Sequence, residues 1–92
     1  MTRRASKVDS NQSEIVDALR AAGCSVLDLS GVGKGMPDIC AAKDGINYLM
    51  EIKNPKTYGK LSKRQIEWHD TWRGQVAIVR SVDEALRVIG VV

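Results

Sequence analysis

The stretch from Pro37 to Lys53 constrains this chain more than any other, because it reads as one β-hairpin with its chemistry at the open end. Residues 39–42 form an apolar run with a β-branched start, and residues 48–52 form a second β-prone run. Between them lies Asp44-Gly45, the strongest kind of short hairpin signal. With that dipeptide as the loop, Lys43 pairs with Ile46, and counting outwards sets Asp38 opposite Glu51. Directly opposed Cβ atoms lie roughly 4.5–5.5 Å apart, where like charges destabilise the pair. A positive group is therefore expected between them. Lys53, two residues beyond Glu51, projects from the same face and supplies it. A β-bulge near Met50 would instead move Asp38 diagonal to Glu51.

Two carboxylates and an ammonium converging on one point make a divalent-metal site with a basic group beside it. That combination suits phosphodiester hydrolysis, which needs hydroxide at neutral pH and relief of extra charge on an anionic phosphate. Mg²⁺ or Mn²⁺ held by one or two carboxylates and the substrate's phosphate oxygens supplies both. The lysine can orient or deprotonate the attacking water, or neutralise charge in the transition state. Taken singly, each fragment is ordinary: Asp after Pro is a common turn residue, and Glu-x-Lys a common solvated pair. In register across one hairpin they favour catalysis.

The remaining elements follow from periodicity and caps. Residues 1–8 are expected to be a flexible basic arm. A helix is expected from Ser10 or Ser13, either a reasonable N-cap, to Gly23, with Ile15, Val16, Leu19 and Ala22 as its apolar stripe. Residues 24–29 read as the first strand. The glycine-rich stretch after it lacks the Lys-Ser/Thr pair of a P-loop, and its Lys34 is a candidate phosphate contact. A loop with Pro55 and Gly59 precedes Ser62, the N-cap of a helix to about Trp72. The Trp68/Trp72 pair at i and i+4 reads as core packing before base stacking. Residues 75–80 read as a fourth strand, and Ser81 caps a last helix towards Gly90. The order αβββαβα gives an α/β domain: an antiparallel meander of three strands, then a fourth reached by a parallel helical crossover.

Composition fits a single domain spanning residues 1–92, with a modest core that lacks phenylalanine. Oligomerisation would assist so small a fold. A net charge of +3 predicts affinity for polyanions. Lys56, Lys60, Lys63 and Arg64 gather at the start of the second helix, where basic residues oppose the helix dipole unless phosphate docks there. An ordinary solvated charge run explains them equally well. Cys24 and Cys40 show no zinc spacing and read as reduced, structural thiols. His69 has no nucleophile or metal partner in sequence and reads as structural. The start of the chain carries no signal-peptide or membrane-spanning pattern, so the expected setting is intracellular, in the cytoplasm, that of a host cell included for a phage-encoded protein.

Gly35-Met36-Pro37-Asp38, then Glu51-Ile52-Lys53, then Lys60-Leu61-Ser62 leading to Gln65 resemble the VRR-NUC family of the PD-(D/E)XK nuclease superfamily. The likeness runs from the first helix to Ser81, with three segments agreeing in order and spacing. It implies a nuclease-like mixed sheet of about four strands flanked by helices. It also implies that Asp38 and Glu51 bind Mg²⁺ or Mn²⁺ and that Lys53 is catalytic. Gln65 would support the lysine or the water, and the carbonyl of Ile52 would complete the metal's ligands. Glu14, by itself a helix-dipole residue, becomes a third metal ligand. A homodimer acting on duplex or branched DNA, Holliday junctions included, follows from the resemblance alone. The competing readings are a sequence-specific restriction-like enzyme of the same superfamily, a non-catalytic DNA-binding module, and a protein-interaction domain hinted at by the apolar tail 88–92.

Overall fold

The computed structural model describes residues 11–57 and 60–91. The expected basic arm at residues 1–8 and Gly59 lie outside the described residues. The first helix, α1, spans Gln12–Ala21, and its N-cap is Asn11 instead of Ser10 or Ser13. Asn11 makes no side-chain cap bond, because its amide is engaged on distant strand ends. Gln12, Ile15 and Leu19 form the buried stripe at helical spacing. The helix closes as the glycine predicts: Gly23, at φ +98°, donates to the Arg20 carbonyl, and Cys24 donates to that of Leu19. These paired bonds satisfy the last carbonyls and turn the chain into a strand.

That strand, β1, covers Ser25–Asp28; β2 is Ile39–Lys43 and β3 is Ile46–Ile52. Asp44 and Gly45 join β2 to β3 with φ +55° and +80°, the two left-handed residues of a type I′ turn. The turn sets the expected register, from Lys43↔Ile46 to Ile39↔Met50. β1 pairs antiparallel with β2. After a 3-10 turn at Pro55–Thr57, the helix α2 (Lys63–Thr71) crosses over to β4 (Ala77–Val79), which runs parallel to β3. The short helix α3, Val82–Val88, follows its Ser81 cap. Strand order is β1-β2-β3-β4, the meander and crossover that the sequence implies.

Alternation along the strands divides the sheet into two unlike faces. Ile39, Ala41, Met50, Ile52 and Val79 pack with Ile15 and Leu19 of α1 and Ala85 of α3, all fully buried. Burying each Leu, Ile or Met side chain contributes roughly 1.5–3 kcal/mol, so this one face holds most of the fold's hydrophobic stabilisation. The other face carries Glu51 and is covered more thinly. α2 lies on it without a single buried residue of its own. The expectation that Trp68 and Trp72 belong to the core is therefore corrected. They stack on each other, centroids 4.7 Å apart, and Trp72 is 43% exposed. α2 is docked through its first turn, so its later turns have no sheet to pack against.

Both cysteines are free thiols; burial pushes that of Cys24 up. Among the described residues no helix is long and apolar enough to cross a membrane. At the end of β1, Asp28 accepts bonds from the Ser30 hydroxyl and amide, which hold its carboxyl below the usual carboxylate range. A depressed folded-state value contributes stability above the unfolded value of about 3.9, and that contribution is lost as pH falls through the folded value. Urea titrations of Asp28→Ala should therefore show a shallower acid limb below about pH 4 than the parent, with a small amplitude because the group is solvated. An unchanged limb would show that Asp28 is not coupled to folding.

Candidate active site

Glu51 is only 1% exposed, an unfavourable position for a carboxylate unless charge and hydrogen bonds surround it. Two partners reach its Oε2 from the same side. Gln65 donates through Nε2 at 2.8 Å, and Lys53 Nζ lies 3.7 Å away. The same glutamine accepts from Lys53 Nζ through Oε1 at 2.9 Å. One side-chain amide thus fixes both the acid and the base.

Gln65 is itself fixed by the start of α2. Its Oε1 also accepts from the backbone amide of Ser62 at 2.8 Å, and Ser62 Oγ accepts from the Gln65 amide at 3.2 Å. This is a reciprocal capping box. The bond network that terminates the helix therefore also sets the distance between α2 and β3. Ser62-x-x-Gln65 carries the signature in the sequence, although its link to Lys53 and Glu51 needs the fold.

Asp38 stands one position before β2, where the ladder ends at Ile39↔Met50. Its amide donates to the Met50 carbonyl at 3.1 Å, and its carbonyl accepts from Leu29 at 2.7 Å. Its Oδ2 accepts from the Ile52 amide at 2.7 Å. The side chain thus takes the place of the carbonyl that a continuing strand would offer Ile52. Asp38 bridges the residues on either side of Glu51 and is held beside it by three separate bonds.

Lys53 is anchored along its backbone as well as at its tip. Its amide donates to Val79 of β4 at 3.0 Å, and its carbonyl accepts from Asn11 Nδ2 at 3.3 Å. Asn11 also reaches the Arg80 carbonyl at 3.1 Å, so the first residue before α1 ties together the ends of β3 and β4. Nothing in the sequence marks Asn11 for this task, because its partners lie 42 and 69 positions away.

Asp38, Glu51, Lys53 and Gln65 line one cleft of about 370 Å³, with Ser62 and Arg64 at its wall. Glu14 is not among them. It is exposed and lines a different cleft, with Asn54, Lys56, Arg80 and Asp83. The reason is angular: Gln12, Ile15 and Leu19 occupy the buried side of α1, and Glu14 falls about 100° off Ile15. Among the described residues, no three Asp, Glu, His or Cys side chains gather as a metal-holding group, so Glu14 is not brought to the two carboxylates as a third acid. Ile52, the expected carbonyl ligand, is fully buried in β3, with its amide held by Asp38.

The basic residues separate likewise. Arg64 borders the cleft, and Lys34 sits in the adjoining loop. Lys60 and Lys63 are exposed at the entry to α2, while Lys56 belongs with Glu14. His69 meets the edge of Trp68 outside the cleft. Comparison with protein-family models, with curated proteins and with solved structures finds no match to this chain.

Proposed function

We propose that this protein is a metal-dependent endonuclease that hydrolyses phosphodiester bonds in DNA, with the site arrangement of the VRR-NUC nucleases. The observation that carries the reading is the buried Glu51, bonded through Gln65 to Lys53 beside an Asp38 anchored on the neighbouring strand. A fold does not keep an acid, a base and an amide converging on an open cleft for stability, since apolar residues of similar volume do as well or better there.

Asp38 and Glu51 offer hard oxygen donors, which suit Mg²⁺ or Mn²⁺ and not a closed zinc site. Two protein carboxylates fit an ion that retains waters and takes its other ligands from a phosphate. Once bound, such an ion supplies Lewis acidity at the phosphate and a more acidic water. The chain's own residues do the rest. Lys53, oriented by Gln65, faces the attacking water or the charge building on phosphate. Arg64 and Lys34 hold the backbone, giving salt-dependent affinity with little base readout. Branched DNA as the preferred substrate and a symmetric dimer that presents two such sites complete the proposal.

The test is cleavage of a labelled four-way junction, a flap and a linear duplex, each with Mg²⁺, Mn²⁺ or EDTA. Cutting should require metal and should fall by about 10²–10⁴ in Lys53→Ala, the usual range for a positioned acid–base group. Binding to all three substrates with no cutting in either metal would sink the enzymatic reading.

A further inference from the structure

Beside the cleft that holds Glu51 and Lys53 lies a second one of about 490 Å³, lined by Lys34, Arg64, Glu67, Trp68 and Thr71. The two clefts share Arg64, and the loop residues alternate between them: Gly33 and Gly35 line the first, Lys34 the second. A polyanion bound at the first cleft therefore meets the second without leaving the surface. The composition of the second is uncommon for a solvated helix face. It holds Arg64, Glu67 and the indole of Trp68 on a helix with no residue in the buried core, and Lys34 from the facing loop.

The polarity of this lining orients a ligand. Arg64 and Lys34 attract phosphate, and Glu67 repels it. The end of the ligand nearer Glu67 and Trp68 must then be uncharged. Thr71 offers no hydrogen there, because its hydroxyl is turned towards the Glu67 and Trp68 carbonyls. Trp68 remains: a half-buried ring in the lining, stacked on Trp72 with the ring planes within 19° of each other. An aromatic ring beside phosphate-directed cations is the arrangement that holds unpaired nucleotides.

We propose that this second cleft is a nucleobase subsite, in which Trp68 stacks an unpaired base while Arg64 and Lys34 hold the adjoining phosphate. It rests on the nuclease reading for its place in function, since the bound strand is the one that continues into the first cleft. A fully paired duplex buries its base faces in its own stack and leaves the subsite unfilled. The subsite therefore selects DNA with single-stranded character next to the phosphate that is cut.

The chain has two tryptophans, Trp68 and Trp72, so tryptophan emission, excited beyond the band of Tyr48 and Tyr58, reports this segment alone. Binding is measured in EDTA by anisotropy of a labelled oligo(dT) strand and, in parallel, by emission. In Trp72→Phe, saturating oligo(dT) should quench the remaining Trp68 emission by stacking on its ring, and a blunt duplex should not. Trp68→Ala should weaken strand binding about 5- to 150-fold, the span measured for base–aromatic stacking. If that variant loses α2, the Trp72→Phe emission still decides the matter. Strand binding with unchanged Trp68 emission overturns the subsite, as does equal quenching by blunt duplex. Metal-dependent cutting without quenching overturns the subsite and leaves the nuclease standing. Quenching without any cutting supports the subsite while the nuclease reading fails.

Discussion

Glu51→Gln should reduce metal-dependent cleavage by about 10² or more while the protein remains folded. The substitution keeps the shape of the side chain and removes its charge. The transition-state stabilisation lost with a bound divalent ion is worth several kcal/mol, and about 2.7 kcal/mol already corresponds to a hundredfold. Stability is subject to two opposed effects. Neutralising a carboxylate that is 1% exposed removes a desolvation cost, which favours the folded state. It also deprives Lys53 of its counter-ion. Stranding a buried charge in this way typically costs 3–5 kcal/mol. Here the cost is smaller, since Lys53 keeps its bond to Gln65 and its side chain is 12% exposed. The melting temperature should then shift by only a few degrees in either direction. A variant that unfolds would show Glu51 to be structural; one that cuts normally would remove it from the site.

The same residues show how much was legible beforehand. The hairpin was, because a two-residue loop with two left-handed positions fixes the register of everything that follows it. Glu51 and Lys53 on one face, and the parallel crossover to β4, follow from alternation and chain order alone. Asp38 was legible as a neighbour of Glu51 but not in its manner of attachment, since a carboxylate bonded to the Ile52 amide replaces the last regular pair. The helices were read less well where periodicity had to stand in for contact. Trp68 and Trp72 have the spacing of a core stripe, yet α2 touches the sheet through a capping glutamine and leaves both rings outside the core. Glu14 has the chain position of a third acid, and the structure sets it in a separate cleft, off the buried side of α1. Asn11 is bound to strands that sequence proximity does not bring near it.

Gly35→Ala should abolish most of the activity without touching the chemistry, because Gly35 packs directly against the backbone of α2. An added Cβ there would lie 2.4 Å from the Arg64 carbonyl oxygen, 2.8 Å from its carbon and 3.1 Å from Trp68 Cβ. The first two are helix backbone and cannot rotate away. The residue also sits at φ +81°, where a Cβ costs about 1–2 kcal/mol in addition. Either the loop or α2 must move. The core of α1, α3 and the sheet has no part in the contact, and α2 has no fully buried residue to resist displacement, only the bonds of Gln65 and its half-buried side chains. The cheapest relief is therefore to lift α2, which withdraws Gln65 from Glu51 and Lys53. Cleavage should fall by about a hundredfold, comparable to the loss of a positioned acid–base partner. The melting temperature should fall by roughly 5–15 °C, since the left-handed backbone alone costs about 1–2 kcal/mol and each kcal/mol is about 4–8 °C for a domain of this size. A large loss of stability with cleavage per folded molecule unchanged would show instead that α2 is held by contacts beyond this glycine, and that Gln65 stays in place when the loop yields.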